Sequence, residues 1–188
     1  MKEIRSAKFP GSRPARNVIS ALLVAITIVT TASMAMAQDE TALKFKGGIG
    51  VVPVTGIAAS GAVNLNVVRG VSPGGPWRIA ALDAEISPDG HIKVEGRGLV
   101  LASGNGIGTN ANQSVHATLF CGPATTATAH DSTLAGVALE ADGDFTIEDS
   151  LSPAPPSVCE SPVLLIRNVG GVWFAAGIPK LEEERHGN

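Results

Sequence analysis

Beyond residue 42 the apolar side chains fall mostly at every second position, the spacing of strands with one buried face. Val63, Leu65 and Val67 alternate with Asn64 and Asn66, and Ile92 and Val94 alternate with His91, Lys93 and Glu95. Val115, Ala117, Leu119 and Cys121 alternate with His116 and Thr118. In "PVLLIR" (162–167) and "VWFAAGI" (172–178) the alternation gives way to continuous apolar runs, which predicts central strands covered on both faces. Between Trp77 and Ile86 the apolar phase shifts from Ile79 to Leu82, which predicts a bulge near Ala80.

Turn residues punctuate these runs: "SPGGP" (72–76), "SPDG" (87–90), "GNGIGTN" (104–110), "ADGD" (141–144) and "GG" (170–171). Inside residues 43–178 no window has helical period together with caps. The expected fold is all-β, a single antiparallel β-sandwich of about 8 or 9 short strands, with a small closed β-barrel as the alternative. That domain spans residues 38–179, and the charged tail "KLEEERHGN" from Lys180 to Asn188 is expected as a solvated end.

One spacing occurs twice. "DGHIKVEG" from Asp89 and "DGDFTIED" from Asp142 share D-G-x-Φ-x-Φ-E, with Φ apolar. Asp-Gly between alternating runs predicts a hairpin turn, with Ile92 and Val94 inward in one copy and Phe145 and Ile147 inward in the other. A calcium loop needs oxygen ligands at alternating positions, and neither copy supplies the full set. Asp142, Asp144, Glu148 and Asp149 nonetheless form an acidic cluster, and they are the candidate metal ligands.

The first 37 residues run basic, apolar, small, the order of a cleaved export signal. Lys2, Arg5, Lys8, Arg13 and Arg16 precede the apolar stretch 18–31, which is short of the roughly 20 residues that a spanning helix needs. Ala35 and Ala37 form an A-x-A site, which predicts cleavage between Ala37 and Gln38, release without a stable membrane anchor, and a secreted or periplasmic location. Cleavage would remove five of the 14 Lys and Arg but one of the 17 Asp and Glu, leaving 9 against 16 and a formal charge of −7. That balance, without a basic cluster, argues against nucleic acid as a partner. An exported chain meets oxidising conditions, so Cys121 and Cys159 are expected to form a disulfide; they lack the C-x-x-C proximity of a redox pair.

Candidate chemistry is sparse. No histidine among His91, His116, His130 and His186 stands two or four residues from another or from a cysteine, the local pairing that metal sites favour. His91 and His116 fall on predicted polar strand faces and are expected at the surface. "TAHDST" sets His130 and Asp131 beside Ser132, but the G-x-S-x-G elbow that exposes a nucleophilic serine is missing. The glycines of "GNGIGTN" precede a strand pattern where a phosphate loop needs a helix. "NQS" at Asn112 fits a glycan acceptor. Trp77 follows a Pro-Gly turn and is the candidate for an exposed ligand-binding ring.

"GIGVVPVTGIAASGAVNLNVV" (48–68) resembles the opening of secreted chordin-type domains, which are β-rich. The paired histidines expected later in such a domain are missing, and no membership is drawn from the likeness. The expected function is a binding or structural module of the cell exterior, with an extracellular or periplasmic ligand or protein as partner, no cofactor and no catalytic residues. The alternative is a metal-binding protein or metal-dependent enzyme using the Asp142–Asp149 cluster and histidines.

Overall fold

The computed structural model describes residues 42–53, 56–57, 63–64 and 66–180. The expected export signal with its expected cleavage site, the tail beyond residue 180 and His186 lie outside the described residues. Among the described residues every element is a strand: β1 (Leu43–Gly50), β2 (Gly56–Ile57), β3 (Val63–Asn64), β4 (Trp77–Arg78), β5 (Ala81–Ile86), β6 (His91–Arg97), β7 (Val100–Leu101), β8 (Ser114–Cys121), β9 (Thr128–Asp131), β10 (Val137–Ala138), β11 (Phe145–Ser150), β12 (Val163–Asn168) and β13 (Trp173–Pro179). Every ladder between them is antiparallel. No helix among these residues is long and apolar enough to cross a membrane.

The expectation of an antiparallel all-β fold holds, but the strands are not shared evenly between two facing sheets. Nine of them form one sheet in the order β10-β8-β12-β13-β1-β5-β6-β11, with β9 also on β8. β4 with β7, and β2 with β3, make small two-stranded pairs beside it. The large sheet curls, and Asp131 at the close of β9 bridges to Ser152 just past β11. The two residues exchange both backbone bonds, at 3.0 and 2.8 Å. Curling in this way pairs backbone groups at what would otherwise be a bare sheet edge.

The D-G repeat is a fold element in both copies. Ser87 donates to the His91 carbonyl while Gly90 donates to that of Ser87, and Glu140, Asp144 and Gly143 repeat the pattern. Only the glycines carry the positive φ, 86° at Gly90 and 87° at Gly143, and the aspartates do not, contrary to a turn with two left-handed residues. The same three-residue turn recurs without aspartate at Asn168–Val172, closing β12 on β13. The two strands that follow the D-G turns, β6 and β11, are themselves neighbours: Val94 faces Ile147 and Gly96 faces Phe145. Ile92, Val94, Phe145 and Ile147 are all buried, as the alternation predicts. Gly96 is required by its partner, since a Cβ there would overlap the Phe145 ring.

The continuous apolar runs do become central strands, β12 and β13, with Leu164, Leu165, Ile166 and Ala175 fully buried. β1, which the alternation does not mark, lies between β13 and β5 and contributes the buried Phe45. The phase shift near Ala80 is a change of partner more than a bulge. Trp77 and Arg78 pair with β7, Ala80 donates to the Arg97 carbonyl, and Ala81 onward pairs with β6. Cys121 and Cys159 are joined, tying β8 to the proline-rich strap that leads into β12.

Candidate functional site

The four acidic candidates are turned to separate structural tasks. Asp142 accepts from the Asp144 amide at 3.1 Å, an Asx contact that shapes its turn. Asp144 accepts from the Gly98 amide at 2.8 Å, fastening the turn to the chain after β6. Glu148 is exposed on the outer face of β11 opposite Lys93. Asp149 accepts from the Thr133 amide at 2.6 Å and from the Ser150 amide at 2.8 Å, and these hydrogen bonds hold its carboxyl below the usual aspartate range. Among the described residues no three of His, Cys, Asp and Glu converge as metal ligands.

Trp77 is not an exposed ring. It is 3 % accessible and stacks on Phe174 with ring centroids 4.1 Å apart. The Trp77 amide donates to the Val51 carbonyl while the Val51 amide donates to that of Phe174, locking the three segments together. The Gly-rich loop 104–110 leads into strand β8, as its strand pattern predicts. Asn112 sits exposed in the turn before that strand.

The histidines depart most from the sequence reading. His91 is exposed as expected, but His116 is only 2 % accessible and His130 only 4 %. β8 has β12 on one edge and β9 with β10 on the other, and from Val115 to Cys121 both of its faces are covered. The face that alternation marks as polar carries His116, Thr118 and Phe120, all buried. Phe120 was the available signal, since a large apolar ring on an outer face is a reason to expect cover there.

His130 is fully engaged. Its Nδ1 lies 2.8 Å from the Pro153 carbonyl oxygen and its Nε2 lies 3.0 Å from the Thr128 hydroxyl, so it braces the strap and has no nitrogen turned toward Ser132. The Ser132 hydroxyl instead accepts from the Ala117 amide at 3.0 Å. His130, Asp131 and Ser132 of "TAHDST" therefore do not assemble as base, orienting acid and nucleophile.

A polar group does gather on the covered face where β8, β9 and β12 meet. Thr118 donates to Asp131 at 2.5 Å, and Arg167 reaches the Thr118 hydroxyl at 3.2 Å and Asp131 at 3.5 Å. Nε and Nη2 of Arg167 both donate to the Gly171 carbonyl, at 3.2 and 2.9 Å, so the guanidinium is held from two sides. His116 pairs in register with Arg167, yet neither of its ring nitrogens has a hydrogen-bond partner among the described residues. Burial first, and then the Arg167 charge, push its pKa below the usual 6.5, with Asp131 opposing.

Outside this group lies the seam between the sheet ends. A shallow depression of about 310 Å³ is lined by Asp131, Ser132, Thr133, Leu134, Ser150 and Ser152. A second of about 260 Å³ adjoins it through Ser132 and Thr133 and reaches Glu148 and Asp149. Their walls offer hydroxyls and carboxylates with one exposed apolar side chain, Leu134. Such groups orient a polar ligand by hydrogen bonding, while the Ser132 hydroxyl is taken up by the Ala117 amide and the Asp149 carboxylate by the Thr133 and Ser150 amides. Comparison with family models, curated proteins and solved structures returns no match, so the likeness of residues 48–68 to chordin-type domains assigns no family.

Proposed function

We propose that this chain is an exported β-rich protein, secreted or periplasmic after cleavage between Ala37 and Gln38, that serves as a binding or structural module of the cell exterior. Its finer architecture in this reading is a small barrel closed across the Asp131–Ser152 bridge, the alternative to a two-sheet sandwich. The observation that carries the reading is the seam, where loops on a rigid, cross-linked sheet present hydroxyl and carboxylate groups without a reactive constellation. The joined cysteines support export, because such a bond persists in oxidising compartments.

The test is a screen of the purified mature protein against immobilised glycans and cell-envelope proteins, repeated with Leu134→Arg. Leu134 is 60 % exposed, so the variant keeps its fold. A ligand that binds the parent and binds the variant at least tenfold more weakly supports the seam. No ligand across the whole screen, or one indifferent to Leu134→Arg, argues against it.

A further inference from the structure

His116 is the buried polar group whose environment the proposed function leaves unexplained. Both of its nitrogens are sealed from solvent without a partner among the described residues, which costs free energy even for the neutral ring. The charged groups acting on it are Arg167 from β12 and Asp131 from β9; its remaining neighbour on β8, β10, presents Val137 and Ala138. Arg167 has no room to retreat from a second positive charge without giving up the Gly171 carbonyl that anchors the β12–β13 turn. Asp131, which would be drawn toward a charged ring, already accepts from Thr118 and carries the backbone bridge to Ser152.

We propose that His116 is an acid-sensitive latch on the closure of the curled sheet: neutral, it lets Arg167, Thr118 and Asp131 hold β9 in place, and proton uptake loosens β9 and with it the Asp131–Ser152 bridge. Loosening there opens the seam while β1, β5 and β6, which lie on the opposite side of the strand order, stay paired.

The unfolded or opened chain binds a proton on this ring near pH 6.5, and the closed form binds it only at lower pH. Above 6.5 the latch is therefore unaffected, and between 6.5 and the lower folded value closure weakens as pH falls. The equilibrium constant for closure drops by up to about tenfold per pH unit in that window.

Hydrogen exchange corrected for intrinsic rates, followed at pH 7.5 and 5.0, tests this on the intact mature protein. Protection of the Asp131 and Ser152 amides is expected to fall more than that of the β5 amides in the parent, and to stay level in His116→Phe. Equal loss in His116→Phe, or no selective loss in the parent, overturns the proposal. Should His116→Phe fail to fold, ring protonation in the parent is followed by long-range nitrogen–proton NMR beside the same exchange series. Selective loss of Asp131 and Ser152 protection that sets in with ring protonation supports the latch, and ring protonation without that loss overturns it.

Discussion

Asp149 shows how much work a surface carboxylate does once its partners are backbone amides. Thr133 and Ser150 both donate to it, which ties the loop after β9 to the end of β11 and stabilises the charged form. Because its folded pKa lies below 3.8, the contribution is present above that pH and is lost as pH falls toward the folded value. Asp149→Asn should cost about 1 kcal/mol at pH 7, the scale of one charge-assisted hydrogen bond net of solvation. Urea melts of parent and variant should converge on acidification below 3.8. This acid response lies below the His116 window, so the two are separable by pH. The role of Asp149 was half legible in the sequence. The acidic cluster is conspicuous in the one-letter text, but local spacing does not tell which amide, from a distant loop, each carboxylate will find.

At the scale of elements, the D-G hairpins were the most legible feature, because turn chemistry and period-two alternation are both local properties. Gly143 and Gly90 occupy the same turn position with the same positive φ, yet their surroundings differ. An added Cβ at Gly143 would overlap the Leu99 carbonyl, while at Gly90 the nearest atom is Pro155 Cδ at 3.1 Å. Alanine should cost about 1 to 2 kcal/mol at either site for the left-handed backbone. Overlap with fixed main chain should add about 1 to 3 kcal/mol more at Gly143. Chemical denaturation of Gly143→Ala beside Gly90→Ala checks the ordering, and equal losses would mean that the main chain at Leu99 gives way freely. β8 was misread on one face for a physical reason. Alternation reports which residues can face water, but whether they do depends on β9 and β12, whose pairing is set by residues far along the chain. The burial of Trp77 was hidden likewise, since its stacking partner Phe174 belongs to β13.

For the whole molecule, antiparallel β architecture followed from the sequence, whereas the distribution of strands into one curled sheet did not. Both a sandwich and a barrel satisfy the same alternation, and the choice rests on long-range bridges such as Asp131–Ser152. The cysteine pairing was legible because a chain with two cysteines allows one intramolecular bond. Closing a loop of 38 residues, it contributes roughly 4 kcal/mol in the chain-entropy model. That contribution pins the strap which His130 and the Ser152 bridge also hold, so cross-link and sheet closure reinforce one another. The proposed export therefore bears on stability as well as on location, because a disulfide persists in an oxidising compartment. The intact native mass of the protein released by an expressing cell tests this most directly. An exported, cross-linked protein has the mass of residues 38–188 less two hydrogens, with no metal ion retained; the mass of residues 1–188 with both thiols free would contradict export and the cross-link.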